Sequence, residues 1–368
     1  MSTKKDKFSD KDKNFMRIAI NLAKARKGLT GDNPSVGCVI VKNNKIISIG
    51  QTGYNGRPHA ETNAINNSFQ NLKGSKMYVT LEPCNHYGKT PPCTKSIIRS
   101  GIDEVFYSIN DLDNKVKGKS FNILSKKKIK VKKGLLKNDA INLYDSYLIN
   151  RNLQLPYVTA KIAISKNKLI YSEGIKRITN QISDKLSHYL RFKNDAIMIS
   201  VKTLNIDNPK LDCRLKGYEK FSPIRIILDN KLKTNTNSYL FKTANKENTI
   251  FFYNEAIKSK ILEFKKNKIT VLKSNIDNNK RFNPSIILKK LYTLGCRNVL
   301  VEGGDELTKN FVSNKIFNQF FLFKISKDLS KSFEFKEFSG LKILKKNYKK
   351  RLKINSNFGK DTITLYKN

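Results

Sequence analysis

The chain has 368 residues, 39% of them hydrophobic and 10% aromatic, which is enough for two domains that each bury a core, and no apolar run reaches membrane-spanning length. Five cysteines exclude a disulfide framework, and the charged opening MSTKKDKFSDKDKNF carries no signal-peptide pattern, so a reducing cytoplasm is the expected compartment. A formal charge of +42 ordinarily points to nucleic acid or an anionic surface, but lysine is spread through nearly every segment; a solvated basic surface without a specific nucleic-acid partner is expected, with runs such as Lys126-Lys127-Lys128 keeping RNA in view.

In chain order, the polar first dozen residues are expected to be disordered. FMRIAINLAKARKG places apolar residues at helical spacing and stops at Gly28. VGCVIVKNNKIISIG predicts two strands around an Asn43-Asn44 turn, with Cys38 in the core. PHAETNAINNSF predicts a helix opening on the proline, with Glu61 in its first turn. KMYVTLEP predicts a buried strand, TKSIIRSG a short helix closed by Gly101, and DEVFYSI a further strand. Near residue 150 a helical stretch ends, a proline follows and a new apolar strand begins, dividing the chain into domains 1–150 and 151–368. Beyond it DAIMISVKT, IRIILD and NTIFFY predict strands, and SIILKKLYTLGCRNVLVEGG a helix, a glycine stop and a strand running into paired glycines. Both halves read as α/β.

The stretch LEPCNHYGKTPPC concentrates chemistry in a chain poor in cysteine. Hydrolysis at zinc needs ligands of intermediate softness, an open coordination position and a separate proton carrier. His59, Cys84 and Cys93 supply an imidazole and two thiolates, and Glu61, two residues after the histidine, is free to act as acid and base. Each of these residues alone is more often structural; H-x-E together with P-C…C is the signature of zinc-dependent nucleobase deaminases. Here eight residues separate Cys84 from Cys93 where the common pattern has two, so a loop bearing His86, Lys89 and Thr90 bulges between the ligands, and a helical turn after Cys84 would favour its thiolate.

PCNHYGKTPPC, with NPSVGCVIV and PHAE upstream, resembles the deaminase half of the bifunctional riboflavin-biosynthesis deaminase/reductase family over residues 13 to 150. The resemblance implies a cytidine-deaminase-like α/β/α layer domain that deaminates a diaminohydroxypyrimidine bearing a phosphoribosylamino group. It implies Zn²⁺ on His59, Cys84 and Cys93, proton transfer by Glu61, and substrate contacts at Asn33, His86 and Lys89, the last suited to phosphate.

For the second half the resemblance implies a dihydrofolate-reductase-like α/β domain that uses NADPH to reduce the ribosyl group to ribityl. Arg191, Asp195-Ala196-Ile197, Thr203, Asp207-Asn208-Pro209, Leu211 and Arg214 fall on the family's pattern, as does Glu302-Gly303-Gly304 after NVLV. It implies substrate contacts at Arg191, Leu211, Arg214 and Glu302, and cofactor contacts at Ala163, Arg177, Thr203, Asp207 and Gly304. Arg191 and Arg214 would clamp the ribose phosphate, or be salt-bridged. Two blocks depart: Ser165-Lys166-Asn167-Lys168 stands for the family's S-x-D-G, and Arg177-Ile178-Thr179 for its Trp-Ile-Thr. Either the nicotinamide pocket is rebuilt locally and reduction persists, or this is a deaminase with an impaired reductase. A tRNA or nucleoside deaminase, and an RNA-binding protein on an inactive deaminase scaffold, are the rival readings; the long second domain opposes the first and the intact zinc set the second. The family resemblance further implies a homo-oligomer acting on a small-molecule phosphoribosyl pyrimidine; with no membrane-length or membrane-binding segment, no membrane partner is expected.

Overall fold

The computed structural model describes residues 7–113, 116–175, 178–331 and 334–368, which fall into two compact units divided between Leu153 and Gln154. The first unit runs α1 (Asp10–Arg26), β1 (Gly37–Lys42), β2 (Lys45–Gln51), α2 (Ala60–Asn66), β3 (Lys76–Leu81), α3 (Cys93–Arg99), β4 (Glu104–Ile109), α4 (Lys119–Lys126), β5 (Lys130–Lys133), α5 (Lys137–Leu143) and α6 (Asp145–Leu153). Its sheet has the order β2-β1-β3-β4-β5, antiparallel through β3 and parallel from β3 to β5.

Order begins earlier than the polar N-terminus suggested. The Ser9 hydroxyl accepts the Asp12 N–H and Asp12 accepts the Ser9 N–H, a reciprocal cap that starts α1 at Asp10, and the Asp12 carboxylate also accepts the Tyr78 hydroxyl at 2.7 Å. Met16, Ala19, Ile20 and Ala23 then form one buried face. α1 lies so close to β1 that a Cβ on Gly37 would stand 1.9 Å from the Ala19 carbonyl oxygen. Asn43 and Asn44, at φ 50° and 59°, close the β1–β2 hairpin in the mirror-image turn that matches strand twist. On β2, the carbonyls of Gln51 and Ile49 accept from the side-chain amides of Asn63 and Asn67 at 2.8 and 3.3 Å, two residues of the α2 stretch spaced one turn apart.

The second unit runs β6 (Tyr157–Ile164), β7 (Leu169–Ser172), α7 (Gln181–Phe192), β8 (Ala196–Ser200), α8 (Val201–Asp207), β9 (Ile224–Leu228), α9 (Tyr239–Lys242), β10 (Thr249–Tyr253), α10 (Lys258–Lys266), β11 (Thr270–Lys273), α11 (Pro284–Thr293), β12 (Asn298–Val301), α12 (Asp305–Ser313), β13 (Gln319–Lys324), β14 (Phe335–Glu337), α13 (Leu341–Asn347), β15 (Lys350–Lys353) and β16 (Thr362–Lys367). Nine strands form a sheet of order β11-β10-β9-β8-β12-β6-β13-β16-β15, parallel from β11 to β13 and antiparallel at β16 and β15. Two hydrophobic clusters contain residues of its strands, one including Val158, Met198 and Val299 and the other Ile197, Ile199 and Leu300, because successive side chains on a parallel strand face opposite covered surfaces. The carboxyl ends of β6, β8 and β12 lie side by side, where open parallel sheets place ligands.

Candidate active sites

In the first unit three backbone features converge. His59 is the N-cap of α2, its carbonyl accepting the Asn63 N–H at 2.9 Å, so the helix starts at Ala60, two residues after Pro58. Cys84 follows the end of β3, and Cys93 opens α3 after Pro91-Pro92. The stretch between the cysteines is not helical; the N–H that favours the Cys84 thiolate comes from Cys93, at 3.2 Å from Cys84 Sγ.

His59 Nδ1 lies 3.5 Å from Cys84 Sγ and 3.3 Å from Cys93 Sγ. Zinc with bonds of about 2.3 Å to sulfur and 2.0–2.1 Å to nitrogen separates tetrahedral ligands by about 3.6 Å, so this donor set fits zinc with one position left for a reactant. The Cys93 thiol, then His59 and the Cys93 amide, draw the Cys84 thiol far below its ordinary range. Glu61 is 4% exposed in the first turn of α2, and burial pushes its carboxyl up to about 7 against the pull of His59. A carboxyl near neutrality both takes and returns a proton.

His59, Glu61 and Cys84 wall a cavity of about 120 Å³ that Asn33 and His86 also line. Lys89 does not line it and is exposed on the neighbouring loop. Sequence reading missed Arg57, Asp111, Tyr147 and Arg151, which do. Arg57 donates to Thr90 Oγ1 at 2.5 Å, and Tyr147 donates to Asp111 at 2.8 Å. The buried Glu82 carboxylate accepts the N–H groups of Asp111, Gly118 and Ser120 at 3.2, 3.0 and 3.1 Å, holding that rim in place.

The second unit contains a cavity of about 700 Å³ beside the ends of β6, β8 and β12, a size suited to small ligands. Ala163, Thr203, Asp207, Gly304, Arg191, Leu211, Arg214 and Glu302 all line it; Arg177 lies outside the described residues. Gly303 and Gly304 leave a cradle: a Cβ on Gly304 would approach Thr203 Oγ1 to 3.3 Å, and one on Gly303 would meet Leu307 Cδ2 at 2.8 Å. With Lys202, Lys210 and Lys336 also on the wall, the residues present fit a phosphate-bearing cofactor such as NADPH.

Arg191 is neither free at a phosphate nor in a surface salt bridge. Its Nε and Nη2 each donate to the Glu302 carboxylate at 2.9 Å, Nη1 donates to the Asp212 carbonyl at 3.1 Å, and both side chains of the pair are nearly buried. Burial alone would raise the Glu302 carboxyl, but Arg191 overrides it and holds it below its usual range. Arg214 is half-exposed and paired with Asp212 at 2.6 Å. Lys161, the lone charge in strand YVTAKIAI, lines the cavity, and burial lowers its ammonium pKa against the pull of Glu302. That isolated charge was the signal available for it; Asp184 and His188, which also face the cavity, gave none.

The departed S-x-D-G block keeps its turn. Ser165 donates to Asn167 Oδ1 at 2.5 Å, Asn167 is tied to the Leu329 N–H and carbonyl at 3.1 and 2.8 Å, and Lys168 takes φ 68° where the family has glycine.

The profile of the cytidine and deoxycytidylate deaminase zinc-binding region matches residues 9–109, and that of the RibD C-terminal domain matches residues 156–329. The riboflavin biosynthesis protein RibD of Aquifex aeolicus strain VF5 is 34% identical over 97% of this chain and 98% of its own length. That of Bacillus amyloliquefaciens is 36% identical over 83% and 82%. The solved diaminohydroxyphosphoribosylaminopyrimidine deaminase/5-amino-6-(5-phosphoribosylamino)uracil reductase of Thermotoga maritima superposes with a TM-score of 0.79 at 29% identity, covering 97% of this chain and 98% of that one. With relatives matched along nearly its whole length and both profiles in order, the chain belongs to the RibD family of riboflavin biosynthesis proteins, a zinc-binding deaminase domain followed by a reductase domain.

Proposed function

We propose that this chain performs both reactions in the name of its Thermotoga relative: residues 1–150 deaminate the diaminohydroxypyrimidine phosphoriboside, and residues 151–368 reduce the resulting aminouracil's ribosyl group with NADPH. The observation that carries the reading is the His59–Cys84–Cys93 triangle with buried Glu61 beside it.

His59, Cys84 and Cys93 would hold Zn²⁺, which when bound acidifies water and polarises the reacting carbon. Glu61 takes one proton from the attacking water to the ring nitrogen and the second, from the hydroxyl so added, to the departing amine, so that water enters and ammonia leaves. Asn33 and His86 orient the pyrimidine in the cavity, and the exposed Lys89 serves the phosphate end.

NADPH would lie along Ala163, Thr203, Asp207 and Gly304, with Arg177 a further contact; when bound it supplies the hydride that reduces the sugar C1′. Glu302, held ionised by Arg191, stabilises a proton on Lys161 for the ring oxygen freed as the furanose opens. Leu211 packs the substrate and Arg214 faces its phosphate. The Asn167 turn remains closed, which supports local rebuilding over loss of the pocket. The reading includes a homo-oligomer in the cytoplasm without a specific nucleic-acid partner. Among the described residues, no helix is long and apolar enough to cross a membrane.

Purified protein given the diaminopyrimidine phosphoriboside should release ammonia without NADPH, and on adding NADPH should oxidise it. Stripping zinc with a chelator should stop ammonia release yet spare NADPH oxidation on the deaminated substrate. Ammonia release without any NADPH oxidation at saturating cofactor would reduce the protein to a deaminase.

A further inference from the structure

Helix α7 brings Asp184, Ser187, His188 and Arg191 to the wall of the second cavity, a polar stripe at i, i+3, i+4 and i+7. Of these residues only Arg191 has a part in the reading above. His188 Nδ1 lies 3.2 Å from both the Asp212 carbonyl oxygen and the Arg214 amide nitrogen. The carbonyl already accepts from Arg191 Nη1, whereas the Arg214 N–H has no other acceptor among the described residues. Nδ1 therefore accepts, and the ring proton sits on Nε2. Burial, followed by the charges of Arg191 and Arg214, lowers the imidazole pKa and keeps it neutral. Beside it, Ser187 is 4% exposed and its hydroxyl has no partner among the described residues. A buried hydroxyl without a partner is costly unless a ligand completes it.

We propose that Ser187 and His188 form a subsite for the pentose hydroxyls of the reductase substrate, with His188 donating from Nε2 while its Nδ1 anchors the backbone of Arg214. A hydroxyl both donates and accepts, which matches a serine and a neutral imidazole N–H; a phosphate would call for cations and a bare ring would leave both groups unpaired. The pentose could belong to the substrate or to NADPH. The substrate is favoured because His188 is bonded to the segment that carries Arg214, whereas the glycine cradle for the cofactor lies against Thr203. The subsite rests on the reductase reading, and the test separates the two.

The full chain and its Ser187→Ala, His188→Asn and His188→Ala variants are compared by kinetics and by calorimetric binding of 5-amino-6-(5-phosphoribosylamino)uracil. Ser187→Ala and His188→Asn should each weaken substrate KM and Kd about tenfold, with KM for NADPH within about twofold. His188→Ala should weaken them further, and asparagine, whose Oδ1 can replace Nδ1 as acceptor, should restore that increment. Unchanged substrate KM and Kd in Ser187→Ala and His188→Asn, or a loss confined to NADPH, overturns the subsite. Wild-type protein that binds the substrate without oxidising NADPH sinks the reductase reading, and the binding series still decides the subsite.

Discussion

Glu61 and Glu302 are both buried carboxylates, and their surroundings give them opposite tasks. Among the described residues no cation is bonded to Glu61, so burial dominates and its proton is available near neutral pH. Glu61→Gln should keep one equivalent of zinc by elemental analysis and lose deamination by roughly 10²–10⁴-fold, while reduction of the deaminated substrate continues. Glu302 is locked to Arg191, and breaking a buried pair costs about 3–5 kcal/mol, whereas an exposed pair such as Lys202–Glu306 is worth about 0–1 kcal/mol. Urea unfolding should therefore register Arg191→Ala strongly and Lys202→Ala hardly at all. The Glu302 carboxyl is depressed in the folded state, so its stabilisation is present above the unfolded value of about 4.3 and is lost as pH falls through the folded one. Glu302→Gln should flatten that acid limb in urea midpoints measured from neutral pH to about 3; an unchanged limb would show that other carboxylates cause it.

At the scale of elements, local chemistry was legible and assembled surfaces were not. The β1–β2 hairpin could be read because its two asparagines dictate the turn, and the zinc set because His59 and Glu61 share the start of one helix while Cys84 and Cys93 flank one loop. Within the polar N-terminus, residues 9–12 were misjudged because a charged stretch also holds the reciprocal Ser9–Asp12 cap. Ser187 and His188 were invisible because polar residues on an amphipathic helix read as its solvent face until β6, β8 and β12 set a cavity against it. The β6–β7 turn carries a measurable consequence of its departure. Lys168 occupies the left-handed region, which costs a side-chain-bearing residue about 1–2 kcal/mol relative to glycine's ease there. After glycine's larger unfolded-state entropy is subtracted, Lys168→Gly should stabilise the protein by about 0.5–1 kcal/mol in thermal unfolding. Destabilisation would mean that the lysine side chain holds the turn by contacts outweighing its backbone cost.

Over the whole molecule, the excess of basic residues is distributed across both units instead of lining one groove. Lys130, Lys132 and Lys133 are exposed on β5, and Lys350, Arg351 and Lys353 on β15, each an outermost strand of its sheet. Binding to generic RNA should accordingly be micromolar or weaker at physiological salt and fall steeply as salt rises, as charge alone dictates. Tight, sequence-selective binding in a salt titration would instead identify a built RNA surface. On the outermost strands β5 and β15, lysine and arginine also deter strand-to-strand docking. The opposite border of the first sheet is guarded without charge. Thr52 donates to the Val36 carbonyl across the hairpin, so by the alternation of an antiparallel ladder the carbonyls of Ile49 and Gln51 turn outward from β2. Asn63 and Asn67 already occupy both. A stray β segment from a crowded neighbour therefore finds those two acceptors taken, and that part of the border resists the templated stacking that seeds fibrils even though Ile46 and Ile49 leave it greasy.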